Sequence, residues 1–122
     1  MWKKHRHEGA IYIRDTDVSG RVFCPRPIEW VIEAFEKVCL EQAKDDKDSR
    51  DLVVVKAGVH FYSPLSWLDP YILELSIIRV SNRSFDLKGE ILHEGKVTVQ
   101  VEITFVVSIS SADYLTRYWQ KA

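Results

Sequence analysis

Two aspartates one residue apart, Asp15 and Asp17, stand in the segment "RDTDVSGRVFCPRP" at residues 14–27. A β-like run, "AIYIR", comes before them, and Gly20 and two prolines that open a helical pattern come after. A turn that leads into a helix N-terminus exposes backbone N–H groups at the positive end of the helix dipole. Such groups can polarise a carbonyl as an oxyanion hole, while a nearby carboxylate acts as nucleophile or as general base on water. The segment is a candidate acyl-transfer site.

Two other interpretations of this segment stay open at the level of local chemistry. Asp15 and Asp17 are also typical of turns and helix N-caps, and Asx turns are far commoner than catalytic aspartates. Cys24 could be a nucleophile, because a helix N-terminus lowers the pKa of a thiol. Since no histidine has to lie near it, we interpret Cys24 as a small buried residue.

Further polar and aromatic side chains have alternatives of their own. His5 and His7 could bind a metal, but we expect a flexible, solvated N-terminus. His60 fits either a pocket or a hydrogen-bonded position in a sheet. The last aromatic residues, Tyr118 and Trp119, are interpreted as a packing clamp or as disordered. Arginine and lysine bind phosphate directly, so the candidates for binding the phosphates of a ligand are Arg79, Arg83 and Lys88.

The elements that must position these residues follow from hydrophobic periodicity. Residues 9–14 are predicted to form a short strand. From Pro27, apolar residues recur at helical spacing for about 18 residues, as expected for one helix with a buried face. Four β-rich runs follow, the first one able to bend at Gly58, with turns at residues 81–83 and 94–95. This order predicts an α+β fold in which an antiparallel sheet wraps one central helix. A second subunit would cover the other sheet face and the sheet edges.

Length and composition limit the possible functions. With 122 residues, 46% of them hydrophobic, residues 1–122 are predicted to form a single domain. The formal net charge of −1 does not favour nucleic acid as a partner. No apolar run approaches the length of a membrane span, and the N-terminus lacks the apolar core of a secretion signal. Two cysteines do not suggest a disulfide framework. A cytoplasmic protein is the default expectation.

The segment "YIRDTDVSGRVF", followed by "PIEWVIEAFE", resembles the signature of hotdog-fold acyl-CoA thioesterases, most closely the 4-hydroxybenzoyl-CoA thioesterase group with its YbgC-like enzymes. "HFYSPLSWLD" is similar to the second strand and the Pro-Leu-x-x-x-Asp turn of that family, and "VSNRSFDLKGEIL" to its third and fourth strands. The resemblance covers about residues 8–109. The residues that match the family's loop and helix pattern are Asp15, Asp17, Gly20, Val22, Phe23 and Trp30.

The resemblance implies an antiparallel five-stranded hotdog sheet and an acyl-CoA or acyl-carrier thioesterase without metal or cofactor. It implies that Asp17 is the catalytic nucleophile or general base, that the Cys24 backbone N–H polarises the thioester carbonyl, and that Asp15 shapes the loop. It also implies a dimer or a tetramer of dimers, with the site between two subunits. The implied substrate-binding residues are Gly20, Val22, Phe23, Arg83, Ser84 and, from a neighbouring chain, His60, Phe61, Tyr62 and Ser63.

The chain departs from the family pattern at the helix start and in one turn. Arg26-Pro27 stands where Asn-Tyr is frequent, and Leu68 replaces the glycine before the turn aspartate Asp69. Two alternatives to a thioesterase follow. A non-catalytic acyl-CoA or acyl-carrier-binding module would keep the pocket without turnover. A hotdog dehydratase generally needs a histidine with a second carboxylate, and this loop contains no histidine.

Overall fold

The computed structural model describes residues 2–43 and 51–120. Most of the predicted charged loop, residues 44–50, lies outside the described residues. In chain order the elements are β1 (His5–Ala10), a short 3-10 turn (Ile13–Asp15), α1 (Arg26–Ala43), β2 (Leu52–Phe61), β3 (Pro70–Val80), β4 (Ser84–His93), β5 (Lys96–Val107) and α2 (Ser111–Tyr118).

Helix α1 confirms the predicted helix, with 18 residues beginning at Arg26. Its apolar face is buried, while Glu29 and Glu33 on the other face are exposed. Phe35 lies at the centre of this face, with its ring 4.8 Å from that of Phe105 and 5.6 Å from that of Trp119. The helix therefore packs lengthwise on the sheet and forms the main hydrophobic core.

The five strands form one antiparallel sheet in the order β1-β3-β4-β5-β2. The strand alternation places one face of β4 and β5 against α1, where Leu87 pairs with Ile103 and both are buried. Gly89 lies under the helix, and a Cβ atom there would come within 2.4 Å of Val31 Cγ2. Glycine at this position allows the close approach of α1 to the sheet.

The opposite face of the sheet is polar. Arg79 forms an ion pair with Asp86 at 2.7 Å, and Lys88 lies 3.6 Å from Glu90. Thr104 donates a hydrogen bond to the same Asp86 carboxylate at 2.7 Å. Ile72 and Val106 are exposed on the same face, so it is mainly polar with scattered apolar side chains. The expectation that a second subunit covers it stays a prediction.

The first strand differs from the prediction for residues 9–14. β1 ends at Ala10, where its partner strand β3 begins at Pro70. Beyond that point no strand residue remains on β3 to pair with, and the chain turns into the 3-10 segment at residues 13–15. His5 and His7 thus lie in a strand, not in a flexible N-terminus, and burial lowers the pKa of both imidazoles.

Strand β2 is irregular at a different residue from the one predicted. The register with β5 shifts between Val54 and Lys56, which leaves Val55 as an extra residue on β2. Gly58 pairs regularly with Glu102. The bend predicted at Gly58 is therefore a bulge at Val55.

Helix α2 was not predicted, since the last strand was expected to continue to residue 110. The Ser110 hydroxyl accepts a hydrogen bond from Asp113 N–H and caps the helix. At its other end, buried Trp119 donates its indole N–H to the Lys3 carbonyl at 2.7 Å, and Lys3 N–H donates to the Gln120 carbonyl at 3.0 Å. The final aromatic residues are a packing clamp that fastens the C-terminal helix to the N-terminal segment.

In the described part of the chain, no helix has the length and apolar character needed to cross a bilayer. Within residues 2–43 and 51–120, no group of three or more His, Cys, Asp or Glu side chains is placed to share a metal ion.

Candidate active site

The loop that carries the two aspartates forms a tight hairpin between the 3-10 turn and α1. Thr16 pairs with Val22, and Asp17 N–H donates to the Arg21 carbonyl at 2.9 Å. Gly20 N–H donates to the Asp17 carbonyl at 3.0 Å, and Gly20 has a φ of +78°. Glycine adopts this left-handed conformation readily, so Gly20 allows the chain to reverse directly after Asp17.

The Asp17 carboxylate is exposed and held on one side. Its Oδ1 atom accepts hydrogen bonds from the Ser19 N–H at 2.8 Å and from the Ser19 hydroxyl at 2.5 Å. These bonds, the hydroxyl first, hold the pKa of Asp17 below the ordinary value of an aspartate. No donor among the described residues is bonded to Oδ2. The carboxylate is therefore ionised at neutral pH, oriented by Ser19, and open at one oxygen.

Asp15 has the opposite environment, because its side chain is buried under the loop. Its Oδ1 atom accepts two hydrogen bonds from the Arg26 guanidinium, at 3.0 Å from Nε and 2.7 Å from Nη2. Its Oδ2 atom accepts from Tyr12 N–H at 2.9 Å. Arg26 also pairs with Glu29 at 2.7 Å on the first turn of α1. Asp15 thus joins the 3-10 turn to the helix start.

Between Phe23 and Pro27, at the start of α1, a single backbone N–H has no acceptor among the described residues. Phe23 N–H donates to the Asp15 carbonyl at 2.7 Å, and Arg26 N–H donates to the Phe23 carbonyl at 2.9 Å. Pro25 and Pro27 have no N–H. Within the described chain, Cys24 N–H has no acceptor. Cys24 is also exposed, so its interpretation as a small buried residue was wrong: the reversal at the helix start leaves it on the surface.

A cleft of about 530 Å³ brings most of the predicted site residues together. Phe61 is the last residue of β2, and the segment that follows it lies against the aspartate loop, where Val22 N–H donates to the Leu65 carbonyl at 3.0 Å. This contact is made within one chain. The residues lining the cleft are Asp17, Arg21, Val22, Phe23, Cys24, Phe61, Tyr62, Ser63, Pro64 and Leu65.

Three predicted substrate-binding residues lie elsewhere in the single chain. His60 stacks on Tyr62, with ring centroids 4.7 Å apart, and lines a separate pocket on the polar face of the sheet. Arg83 and Ser84 lie at the β3–β4 turn, where the Arg83 carbonyl accepts from Val107 N–H. Phe61 pairs with Val99, so the stretch of β5 from Val99 to Val107, about 25 Å, separates that turn from the cleft.

The turn before Asp69 keeps its shape without the glycine of the family pattern. Leu68 has a φ of +74°, and its N–H donates to the Ile11 carbonyl at 2.9 Å. Asp69 accepts a hydrogen bond from Ser66 N–H at 2.8 Å. A left-handed leucine is strained by about 1–2 kcal/mol, and the hydrogen bonds on both sides hold it in place.

Arg21 and Ser19 are the functional residues that sequence reasoning did not identify. Ser19 orients Asp17, and Arg21 lines the cleft across the hairpin from it. A usable signal was present: Asp17 and Arg21 are the first and last residues of a five-residue segment that turns at Gly20, and Asp17 N–H donates to the Arg21 carbonyl.

Residues 11–114 match the thioesterase-like superfamily. The chain belongs to this superfamily. The match includes the aspartate loop, α1 and all of β2–β5, so it covers every residue that lines the cleft. Among curated protein sequences, none matches the chain significantly.

Solved structures of the superfamily share the fold at low identity. A gentisyl-coenzyme A thioesterase is 23% identical over 93% of this chain and 98% of its own, with a TM-score of 0.78. A 1,4-dihydroxy-2-naphthoyl-CoA thioesterase from Synechocystis is 19% identical over 95% and 96%, with a TM-score of 0.80. A 4-hydroxybenzoyl CoA thioesterase mutant, complexed with 4-hydroxybenzoyl CoA, is 15% identical over 94% and 98%, with a TM-score of 0.79. The predicted hotdog fold is confirmed.

Proposed function

We propose that this member of the thioesterase-like superfamily is an acyl-CoA thioesterase that hydrolyses its substrate in the cleft beside Asp17. The observation that supports the proposal is the composition of this cleft. It combines an ionised carboxylate with an open oxygen and a backbone N–H without an internal acceptor, at Cys24. Solved relatives of the same fold act on coenzyme A thioesters, which is consistent with this chemistry.

In the proposed reaction, the thioester carbonyl oxygen accepts a hydrogen bond from Cys24 N–H. Asp17 Oδ2 attacks the carbonyl carbon, the C–S bond breaks, and the thiolate leaves and takes a proton from solvent. Water then hydrolyses the acyl–aspartate anhydride and regenerates the carboxylate. The N–H group stabilises the charge that develops on the oxygen at each addition step. The apolar lining at Phe23, Phe61 and Leu65 would hold the acyl group.

A nucleophilic role for Asp17 is favoured over general base catalysis by its environment. The hydrogen bonds from Ser19 lower the pKa of Asp17, and a general base is most effective when its pKa lies near the working pH. The two roles differ in whether a covalent acyl–aspartate intermediate forms. Borohydride added during turnover should reduce this anhydride at its aspartyl carbonyl and convert Asp17 to homoserine, as detected by mass spectrometry of the peptide. An Asp17 that stays unmodified during turnover would assign the general-base role.

The test of the proposed function is thiol release from a broad panel of acyl-CoA thioesters. With a substrate found in this way, Asp17→Asn should lower kcat by about 10²–10⁴-fold, because the amide keeps the size of the side chain but cannot attack or accept a proton. Binding of the thioester should change little. Asp113→Asn, an exposed aspartate in the first turn of α2, is the matched control.

Two results would contradict the proposal. Full turnover by Asp17→Asn would place the catalytic group elsewhere. Binding of acyl-CoA without hydrolysis of any thioester in the panel would show a non-catalytic binding module.

We further propose that a second copy of the chain pairs with the free edge of β2. Among the described strands, β2 pairs only with β5, and three consecutive valines on it are exposed: Val53, Val54 and Val55. An exposed apolar edge strand is a ready site for pairing with another chain. Antiparallel pairing of two identical edges has the two-fold symmetry of a closed dimer. Since β2 ends at the cleft, such a dimer would bring its interface close to Asp17.

A further inference from the structure

Among the described residues, Arg21 is the only one with a cationic side chain that lines the cleft. It stands across the Gly20 turn from Asp17, to which it is joined by the hydrogen bond from Asp17 N–H to its carbonyl. The guanidinium lies near enough for its charge to lower the pKa of Asp17. The other residues that line the cleft, Asp17 apart, are apolar or neutral.

The Arg21 guanidinium has no carboxylate partner among the described residues. Three other arginines each form an ion pair: Arg6 with Glu74, Arg26 with Asp15 and Arg79 with Asp86. In the part of the chain that the structure describes, Arg21 forms no ion pair with Asp17 either, whose Oδ1 atom accepts from Ser19. The planar guanidinium fork, which suits bidentate binding of a carboxylate, is therefore available at the cleft.

We propose that Arg21 binds a carboxylate carried by the acyl group, so that the preferred substrates are thioesters of dicarboxylic acids. This inference rests on the proposed thioesterase function. A substrate carboxylate in this cleft would otherwise face the negative charge of Asp17 without compensation. Arg21 offsets that repulsion and fixes the far end of the acyl chain, while Cys24 N–H holds the thioester carbonyl.

The phosphates of coenzyme A are a second source of negative charge, and the position of Arg21 disfavours them. Arg21 and Asp17 line the same cleft, and the charge of Arg21 reaches the Asp17 carboxylate, so an anion bound by Arg21 lies close to the reacting carbonyl. More than ten covalent bonds separate the thioester sulfur from the nearest phosphate of coenzyme A. At about 1.5 Å a bond, the extended pantetheine arm places that phosphate on the order of 15 Å from the sulfur.

The experiment compares glutaryl-CoA with its neutral terminal amide, a close isostere, in the native protein, in Arg21→Gln and in Arg14→Gln. Arg14 is the matched control, because it stacks on Tyr12, with its guanidinium carbon 5.0 Å from the ring centroid, and does not line the cleft. Hydrolysis is followed by thiol release. Equilibrium binding is measured with hydrolysis-resistant thioether analogues. Pantetheine thioesters of the same two acyl groups lack the adenosine phosphates and separate the two sources of charge.

The native protein should favour the carboxylate over the amide by about 10- to 100-fold, the range of one charge-assisted hydrogen-bonded pair, in binding and, if it hydrolyses both, in kcat/KM. Arg21→Gln should abolish this preference, Arg14→Gln should keep it, and the pantetheine thioesters should show the same preference in the native protein.

The proposal would be overturned if the native protein showed no preference for the carboxylate over the amide. The proposal would also be overturned if Arg21→Gln weakened binding of both coenzyme A thioesters equally and left binding of the pantetheine thioesters unchanged. That result would assign Arg21 to a phosphate of coenzyme A. A binding preference without hydrolysis would retain this inference and refute the thioesterase.

Discussion

Asp17 shows how one hydrogen-bonding neighbour sets the chemistry of a carboxylate. The side chain is exposed, and the largest influences on its pKa are the hydrogen bonds from the hydroxyl and the backbone N–H of Ser19. The same two bonds fix the orientation of the carboxylate, and Oδ2 has no donor among the described residues. Ser19 is in this sense a positioning residue for Asp17.

Ser19→Ala tests that role through the pH dependence of turnover. The hydroxyl stabilises the ionised form of Asp17, so its removal should raise the pKa of Asp17. As pH falls, the variant should then lose kcat/KM at a higher pH than the native protein, while the plateau near neutral pH stays similar. Ser108→Ala, which removes a hydroxyl bonded to Asp51, is the control. An acid limb that does not move would contradict the role given to Ser19.

The reactive groups of the site could be predicted from sequence, but their tuning could not. The spacing of Asp15, Asp17 and the helix start located a carboxylate beside free backbone donors. Which residues complete the cleft depends on how the segment after β2 folds back on the loop, a long-range contact. Local pattern carries no information on that contact, so it could not show that Phe61, Tyr62 and Ser63 reach the aspartate loop of their own chain.

At the scale of elements, the junction between the 3-10 turn and α1 depends on the Asp15–Arg26 pair. Asp15 is 2% exposed, and its carboxylate accepts from both Arg26 and Tyr12. Arg26 stands where the family pattern has asparagine, so this chain uses an arginine to tie the loop to its helix.

Arg26→Gln should weaken the fold more than a typical surface substitution. It leaves the buried Asp15 carboxylate without its charged donor, which costs about 1–3 kcal/mol of unfolding free energy. Asp15→Asn should act in the same direction. The measurement is urea unfolding, with Arg6→Gln as control, because Arg6 pairs with Glu74 on the surface, where an ion pair contributes about 0–1 kcal/mol. Equal stability of the two arginine variants would show that the Asp15 pair does not hold the junction.

Elements with a clear period were predicted well, and elements that depend on distant partners were not. The spacing of Val31, Phe35 and Val38 marks α1, and alternation marks β3, β4 and most of β5. The limits of β1 are set by where β3 begins, and α2 is a helix of eight residues directly after a strand. Its aromatic residues gain their stability from Phe35 and Phe85, which lie far away in sequence.

At the scale of the whole molecule, the exposed β2 edge should decide the oligomeric state. We expect sedimentation at micromolar concentration to give at least twice the monomer mass. Val53→Lys together with Val55→Lys should shift the protein toward monomer, because charge on an edge strand opposes pairing. Val80→Lys, at the far end of β3 and also exposed, is the control. A native monomer at micromolar concentration would refute edge pairing.

The helix start between Phe23 and Pro27 also supplies a built-in spectroscopic reporter. Two prolines give no amide resonance, and the amides of Phe23 and Arg26 are already engaged with internal carbonyls. Of the amide protons in this stretch, that of Cys24 is the one without an internal acceptor, so it can replace its contact with solvent by a hydrogen bond to a ligand oxygen. In an ¹⁵N-labelled sample, its resonance should respond to a bound thioester analogue by direct hydrogen bonding, which makes occupancy of the oxyanion position visible in solution without turnover.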